Sequence, residues 1–393
     1  MDGGALLQRI PWPRGSSYDN IYDLYLKYVT QKYGSRSVIV FDGYSEMPST
    51  KDTAHIRRSK SQVGNTIKFS SDMTLDMKKD VFLANTQNKQ KFISYLREKF
   101  SENGIRALHA EGDADLLIVK TAVESAEGDP TILIGEDTDL LILLCHYASL
   151  DANDIFFKPE QRRNMKTAAR VWNIRETKLK LGSDLCKDLL FVHAILGCDT
   201  TSSVFGLGKG LALKKYLKDK NFRECAAVFS NDEHISVDEI IKYGERAMVI
   251  LFGGKPEEKL DSLRLSIFYQ KVAGSVKFIK PENLPPTSAA TRYHSLRTYH
   301  QIQVWKGRND LLAEDWGWAV KGNRLLAVHT DRPPAPEKLL KVVRCKCKAS
   351  CKTFRCTCRK HGLTCSQMCG ECRGISCLNS VQMDNININE DIE

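Results

Sequence analysis

Apolar residues along the chain fall into short runs that repeatedly end in acidic ones. Ser37-Val-Ile-Val-Phe-Asp-Gly43, Ile105 to Ala110 and Thr131 to Ile134 read as buried strands of a parallel sheet. Between and after them, apolar positions at helical spacing predict a helix over Tyr18–Tyr33, one or two between Ser71 and Phe100, one from Leu116 and one from Leu140. Asp154–Phe157 and Ala169–Asn173 read as edge strands, followed by a helix over Leu185–Leu196. Val237–Leu251 and Ser288–Lys306 are further helices, with Leu284-Pro-Pro286 between them. Strands alternating with helices predict an α/β fold with a parallel sheet and flanking helices, then a helical middle region.

The acidic residues sit where those runs stop or start. Asp42 ends the first strand, Asp113 and Asp115 open the helix at Leu116, Asp137 and Asp139 follow Thr131–Ile134, and Asp199 follows the Leu185–Leu196 helix. Asp2 opens the chain with no strand before it, which predicts a loosely held side chain. In open α/β sheets ligands collect at the carboxyl ends of the strands. A single Asp-x-Asp is also what a helix N-cap requires, and Asp137 or Thr138 capping the next helix is the alternative for that pair. Capping explains one or two of these positions rather than seven. Carboxylates gathered away from water repel one another, so the set calls for bound cations or raised pKa values. Hard divalent ions such as Mg²⁺ take oxygen ligands of this kind.

Charge and length narrow the picture. The 393 residues suffice for two or three units, and the net charge is +10. Basic residues crowd at Lys51 to Lys60, which includes Arg57 and Arg58, and again at Arg344 to Lys360, as a polyanion partner requires. No apolar run approaches the roughly 20 residues that span a bilayer, and Met1-Asp-Gly-Gly lacks a signal peptide's basic start and apolar stretch. The expectation is an intracellular protein without membrane contact. Gly206-Leu-Gly-Lys-Gly210 is not a nucleotide-binding P-loop, because Gly210 follows Lys209 where Ser or Thr is needed. His294 and His300 are six apart and share no ligand face, and Trp305, Trp316 and Trp318 read as core.

Nine of the 13 cysteines lie in Cys345-x-Cys347-x₃-Cys351-x₄-Cys356-x-Cys358-x₆-Cys365-x₃-Cys369-x₂-Cys372-x₄-Cys377. Cys145, Cys186, Cys198 and Cys225 are scattered through apolar segments as reduced core residues. The dense set reads as metal thiolates rather than disulfides. Nine sulfurs serve three Zn²⁺ ions only if some of them bridge, and such a cluster supplies folding energy that a short segment lacks. The chain thus divides into 1–222, a mostly helical 223–330, a Pro-rich linker 331–343, a zinc-cluster segment 344–378 and a disordered tail 379–393.

Val40-Phe-Asp-Gly43 with basic residues downstream, the acidic pair opening a helix, Glu136-Asp-Thr-Asp139, and Leu196-Gly-Cys-Asp199 before Gly206-Leu-Gly-Lys-Gly210 resemble the flap-endonuclease and excision-repair nuclease superfamily over roughly the first 220 residues. The resemblance implies a PIN-like domain that hydrolyses phosphodiesters with two Mg²⁺ or Mn²⁺ ions held by Asp2, Asp42, Asp113, Asp115, Asp137, Asp139 and Asp199. It implies that Lys51 with Arg57 or Arg58 steadies the scissile phosphate. It also implies that 197–217 is a helix-hairpin-helix turn, in which Gly206, Gly208, Lys209 and Gly210 grip duplex phosphates beside K⁺. The helix-borne pair is Asp-Ala-Asp where the family more often has Glu. The cysteine spacing resembles a tesmin-type CXC domain, which implies DNA binding through Lys348, Lys352, Arg355, Arg359 and Lys360. Arg355 stands where that family commonly has an aromatic residue, with Phe354 behind it. Together the resemblances imply a nuclear, structure-selective DNA nuclease. A catalytically silent DNA-binding protein of mobile-element descent and an RNA-cleaving nuclease are the alternatives.

Overall fold

The computed structural model describes residues 1–43, 49–51, 64–160, 170–231, 235–274, 279, 281–308, 310–322, 324–328, 330, 345–348, 350–365, 369, 371–374 and 377–380. It divides into two compact units, one of Met1–Gly244 with Tyr293–Val328 and one of Glu245–Arg292 with His329–Glu393. The 223–330 stretch, read from the sequence as one helical region, is therefore shared between them.

The first unit is a mixed α/β structure. Strand β1 (Val38–Phe41) pairs in parallel with β2 (Arg106–His109), and β3 (Thr131–Ile134) pairs in parallel with β4 (Ile155–Lys158), whose other edge takes the two-residue antiparallel β5 (Trp172–Asn173). The two small sheets are joined by the first residues of the chain. Val40 N donates to Met1 O at 3.0 Å and Asp2 N to Ile134 O at 2.9 Å, so Met1 and Asp2 lie between β1 and β3. The helix α1 (Gly3–Arg9) starts there, with Asp2 as its cap. Asp2 is thus fixed by backbone on both sides, against the expectation of a loose terminal residue.

Helix α2 spans Tyr18–Tyr33 as its pattern predicts, capped by Ser17 and ended by Gly34 at φ 84°. Its buried face of Tyr18, Ile21, Tyr22, Tyr25 and Val29 meets α3 (Lys79–Ala84) and α4 (Thr86–Glu102) in a core rich in aromatic rings. Trp12, Tyr18, Phe69, Phe82 and Phe92 make stacked and edge-on contacts at 4.3–6.2 Å, the geometry that ring quadrupoles favour.

Helices α5 (Asp115–Gly128) and α6 (Thr138–Tyr147) follow β2 and β3. Next come α7 (Ile174–Leu181), α8 (Ser183–Ala194), α9 (Lys209–Lys218), α10 (Lys220–Ser230), α11 (Val237–Leu251), α12 (Leu260–Gly274) and α13 (Ser288–Trp305). In the first unit Trp305, Trp316 and Trp318 are buried as expected, and so are His294 and His300. Burial lowers the His294 pKa to about 4, and its Nε2 donates to Ile195 O as a neutral core histidine. A hairpin of β6 (Trp318–Val320) and β7 (Leu325–Ala327) was not legible as strands. In the second unit Glu245 accepts from Leu260 N and Ser288 Oγ, tying the starts of two helices together.

Gly43 shows how tightly the β1 end is set. Its N–H donates to Gly112 O at 2.8 Å, and a Cβ there would stand 2.0 Å from Ala110 O and 2.6 Å from Glu111 backbone. Backbone atoms cannot give way as a side chain does, so Gly43→Ala should destabilise the protein by about 3 kcal/mol. Urea unfolding measures this, as a lowered midpoint at unchanged slope.

Candidate functional site

The carboxyl ends of β1 and β3 and the first turns of α1, α5 and α6 share one edge. Asp2 Oδ1 accepts from Gly4 N at 2.8 Å and Ala5 N at 3.2 Å. A Cβ on Gly4 would stand 3.2 Å from both Asp2 Oδ1 and Asp42 Oδ2, so the two carboxylates close on one point. Asp42 Oδ1 accepts from Ala114 N at 3.3 Å, which ties the β1 end to the Asp113–Asp115 turn. Lys51 reaches into that turn from the basic segment, 2.6 Å from Asp113 Oδ1 and 2.8 Å from Asp115 Oδ2.

On the β3 side, Asp137 caps α6 by accepting from Asp139 N at 2.9 Å, so the capping alternative describes this residue correctly. Capping uses one oxygen of Asp137. The Asp199 turn comes from α8: Gly197, at φ 107°, reverses the chain where a Cβ would meet Ser203 backbone at 2.5 Å. Thr201 Oγ1 accepts from Cys198 N and Thr200 bonds Gln301, holding the loop that carries Asp199.

Electrostatics link the two halves. Burial holds the Asp2 carboxyl above the usual range, and the Asp42 charge pushes the same way. Burial likewise raises Asp115 well above that range, with Asp113 and Asp137 adding to the rise and Lys51 opposing it. Asp137 is raised by burial and then by Asp139 and Asp199. Asp139 goes the other way. Burial would raise it, but a hydrogen bond from His193 at 2.6 Å and the charges of Lys209 and Lys51 hold it below the ordinary range.

All seven aspartates therefore sit on one rim. Among the described residues, however, sets of three or more ligand atoms within 4.8 Å of one another occur only among cysteines. The carboxylates line an edge rather than a closed cage, and the Lys51 ammonium provides local positive charge. Lys51, expected to steady a scissile phosphate, pairs in this structure with Asp113 and Asp115. Arg57 and Arg58 lie outside the described residues. Gly206, Gly208, Lys209 and Gly210 form an exposed turn at the start of α9, whose N-cap Gly208 makes no side-chain cap. Lys209 is turned inward, with Nζ 3.0 Å from His193 Nδ1 and 2.6 Å from Nε2.

Sequence reasoning missed His193, although a lone polar residue in Leu189-Leu-Phe-Val-His-Ala-Ile-Leu196 is a signal. It also missed Arg9, which pairs with Glu136 beside Asp137 and, at 3.0 Å, with Glu160.

The cysteine segment forms a second centre. All nine thiols are free of disulfides, and eight of them are buried, Cys347 being partly exposed. Sγ···Sγ separations of 3.6–3.8 Å join Cys345 to Cys351, Cys365 and Cys372, Cys356 to Cys365, and Cys358 to Cys369. Four thiolates around a tetrahedral Zn²⁺ with Zn–S of about 2.3 Å stand roughly 3.8 Å apart, whereas a disulfide needs about 2.05 Å. Four groups of four sulfurs each lie within 4.8 Å of one another, and Cys345 and Cys365 each belong to three of them. Cys351 holds a left-handed φ of 53°, which a non-glycine residue keeps only where its surroundings impose it. Asn379 and Ser380, expected in the disordered tail, belong to this segment: Asn379 Nδ2 donates to Leu363 O at 2.9 Å, and Ser380 bridges Cys365.

The basic residues around the cysteines divide. Lys348, Lys352, Arg355 and Lys360 are exposed, and Phe354 is 76% exposed. Arg359 is partly buried and donates to Lys352 O at 2.7 Å, so its guanidinium clamps the module.

These features define an α/β protein with an acidic strand-end rim and a separate cysteine cluster. No family model and no curated protein matches the chain. Two solved structures of the catalytic core of Rad2 in complex with DNA substrate are similar to it in part. One aligns at 18% identity over 55% of this chain with a TM-score of 0.33, and the match spans only 60% of that chain. The other aligns at 15% identity over 76% of this chain and 75% of that one, with a TM-score of 0.34. Likeness at this level carries no argument about chemistry, which rests on the rim and the thiols.

Two measurements follow from these geometries. Asp137→Asn keeps the N-cap oxygen and removes a charge whose pKa the fold raises. A carboxyl raised on folding favours the native state below its ordinary pKa and loses that contribution as pH rises through the raised value. At pH 7 without divalent ions Asp137→Asn should therefore melt at or above the parent, the difference closing as pH falls into the ordinary carboxylate range. Mg²⁺ at about 100 times its dissociation constant should add roughly 2.7 kcal/mol to the parent and much less to the variant. Burial pushes the Cys345, Cys351 and Cys365 thiols up, and Cys358 to about 12, so metal loading must release protons. Chelation should collapse the 345–380 segment, with zinc release and loss of circular dichroism measured together.

Proposed function

We propose that the chain is a divalent-metal-dependent phosphodiesterase, a structure-selective DNA endo- or exonuclease of PIN-like type, brought to DNA in the nucleus by a CXC-type cluster of three Zn²⁺ ions. The observation that carries this reading is the rim itself, where seven aspartates from separate elements gather and three of them are held above the carboxylate range. A donor set of carboxylate oxygens alone fits hard ions, Mg²⁺ or Mn²⁺. Asp2, Asp42, Asp113 and Asp115 on one side, and Asp137, Asp139 and Asp199 on the other, are the groups that would hold a pair of them. Such ions, when bound, supply Lewis-acid charge at the phosphate and lower the pKa of water.

The chain's own residues bind and orient the substrate. Lys51, beside Asp113 and Asp115, steadies the scissile phosphate. The exposed Gly206–Gly210 turn offers backbone amides to duplex phosphates, with K⁺ as a companion ion. Lys348, Lys352, Arg355 and Lys360 hold the nucleic-acid backbone, which makes affinity fall with salt.

One observation favours a rival. The Lys51 ammonium already pairs with two of the carboxylates, as suits a catalytically silent DNA-binding protein that keeps a neutralised rim. Flap, hairpin and single-stranded DNA and RNA, incubated with the full chain in Mg²⁺ or Mn²⁺ beside Asp137→Ala/Asp139→Ala, separate the two. The nuclease reading expects cutting by the parent and a loss of at least about 100-fold in the double variant. DNA binding without cutting by either protein establishes the silent reading, and cutting confined to RNA changes the substrate. Binding that survives truncation at Pro336 removes the cysteine module as the main DNA contact.

A further inference from the structure

His193 is the most deeply placed polar group at the rim that the carboxylate reading leaves unused. It lies on α8, with only 4% of its surface exposed, between a proposed metal ligand on α6 and the lysine that opens α9. Nε2 is 2.6 Å from Asp139 Oδ1, and Lys209 Nζ stands 3.0 Å from Nδ1 and 2.6 Å from Nε2. An ammonium has only donors and a carboxylate only acceptors. A proton on Nε2, pointing at Asp139, gives that carboxylate its donor, and the Lys209 ammonium lies against the ring close to both of its nitrogens. That hydrogen bond holds the ring against one Asp139 oxygen.

Given the paired-cation reading of the rim, we infer that His193 is a positioning residue for Asp139, with Lys209 of the Gly206–Gly210 turn set against its ring. The relay Lys209–His193–Asp139 joins the turn proposed to grip duplex phosphate to a proposed metal ligand, through side chains alone. It holds Asp139 in one orientation before any cation arrives. Groups that orient a metal ligand typically alter metal affinity by about 10- to 100-fold.

The test reads metal binding directly. The full chain is titrated with Mn²⁺ and free ion is counted by electron paramagnetic resonance, for the parent, His193→Leu and His193→Gln, after zinc loading of the cysteine module. His193→Leu should weaken Mn²⁺ binding roughly 10- to 100-fold, and His193→Gln, whose amide both donates and accepts, should recover most of the loss. Wild-type Mn²⁺ affinity in a folded His193→Leu, even with a lowered melting temperature, leaves His193 a purely structural residue and overturns the inference. If His193→Leu does not fold, His193→Asn replaces it, because its shorter amide falls short of Asp139, and wild-type affinity there overturns the inference equally. A parent that binds no Mn²⁺ at the rim refutes the cation reading itself and the role of His193 with it.

Discussion

Like charges brought together away from water repel, and the first unit is arranged around that repulsion. Asp2 and Asp42 close on one point beside Gly4, and Asp115 feels Asp113 and Asp137 across the rim. Every device nearby lowers the electrostatic cost. The amides of Gly4, Ala5 and Ala114 donate to carboxylate oxygens, Lys51 spans Asp113 and Asp115, and His193 with Lys209 keeps Asp139 charged. Amides at the starts of α1, α5 and α6 donate to Asp2, Asp42 and Asp137, so the partial charges of those helix N-termini add to the compensation.

The rim exists because the strands are parallel. A parallel pair presents all its carboxyl ends on one edge, and the helices that follow must begin there. Met1 and Asp2 complete the arrangement by lying between β1 and β3, which brings two small sheets into one hydrogen-bonded surface. Gly43 and Gly197 then let backbone pass within distances that a Cβ would forbid, one behind Asp42 and the other ahead of Asp199.

The two centres are stable for different reasons. Around the rim, a packed core of Phe82, Phe92, Tyr18 and their neighbours imposes an unfavourable charge arrangement. Among the described residues of the cysteine segment, Leu363 is the apolar side chain packed against the thiols, and sulfur pairs stand 3.6–3.8 Å apart. Metal ligation of the kind proposed for these thiols would do there what aromatic packing does in the first unit. The clamp from Arg359 to Lys352 and Asn379 is backbone-like support for that cluster, and it leaves the other basic side chains exposed.

Much of this was legible from residue order alone. The apolar runs of β1 and β3, the helical spacing of α2 and α11, and the acidic residue at each strand end are local patterns, and burial periodicity encodes them directly. The cysteine spacing indicated a cluster of thiols for the same reason. What residue order did not determine is which side chains meet. His193 and Asp139 are 54 residues apart, Lys51 and Asp115 64, and Arg9 and Glu160 151, and only the packed helices and strands bring each pair together. Residue order also misjudged Asp2, because nothing before it resembles a strand, whereas its anchorage comes from the edges of β1 and β3. Alternation of polar and apolar residues reports which face a residue occupies. The partner it finds across that face depends on how the elements stack, and that was decided by the tertiary structure.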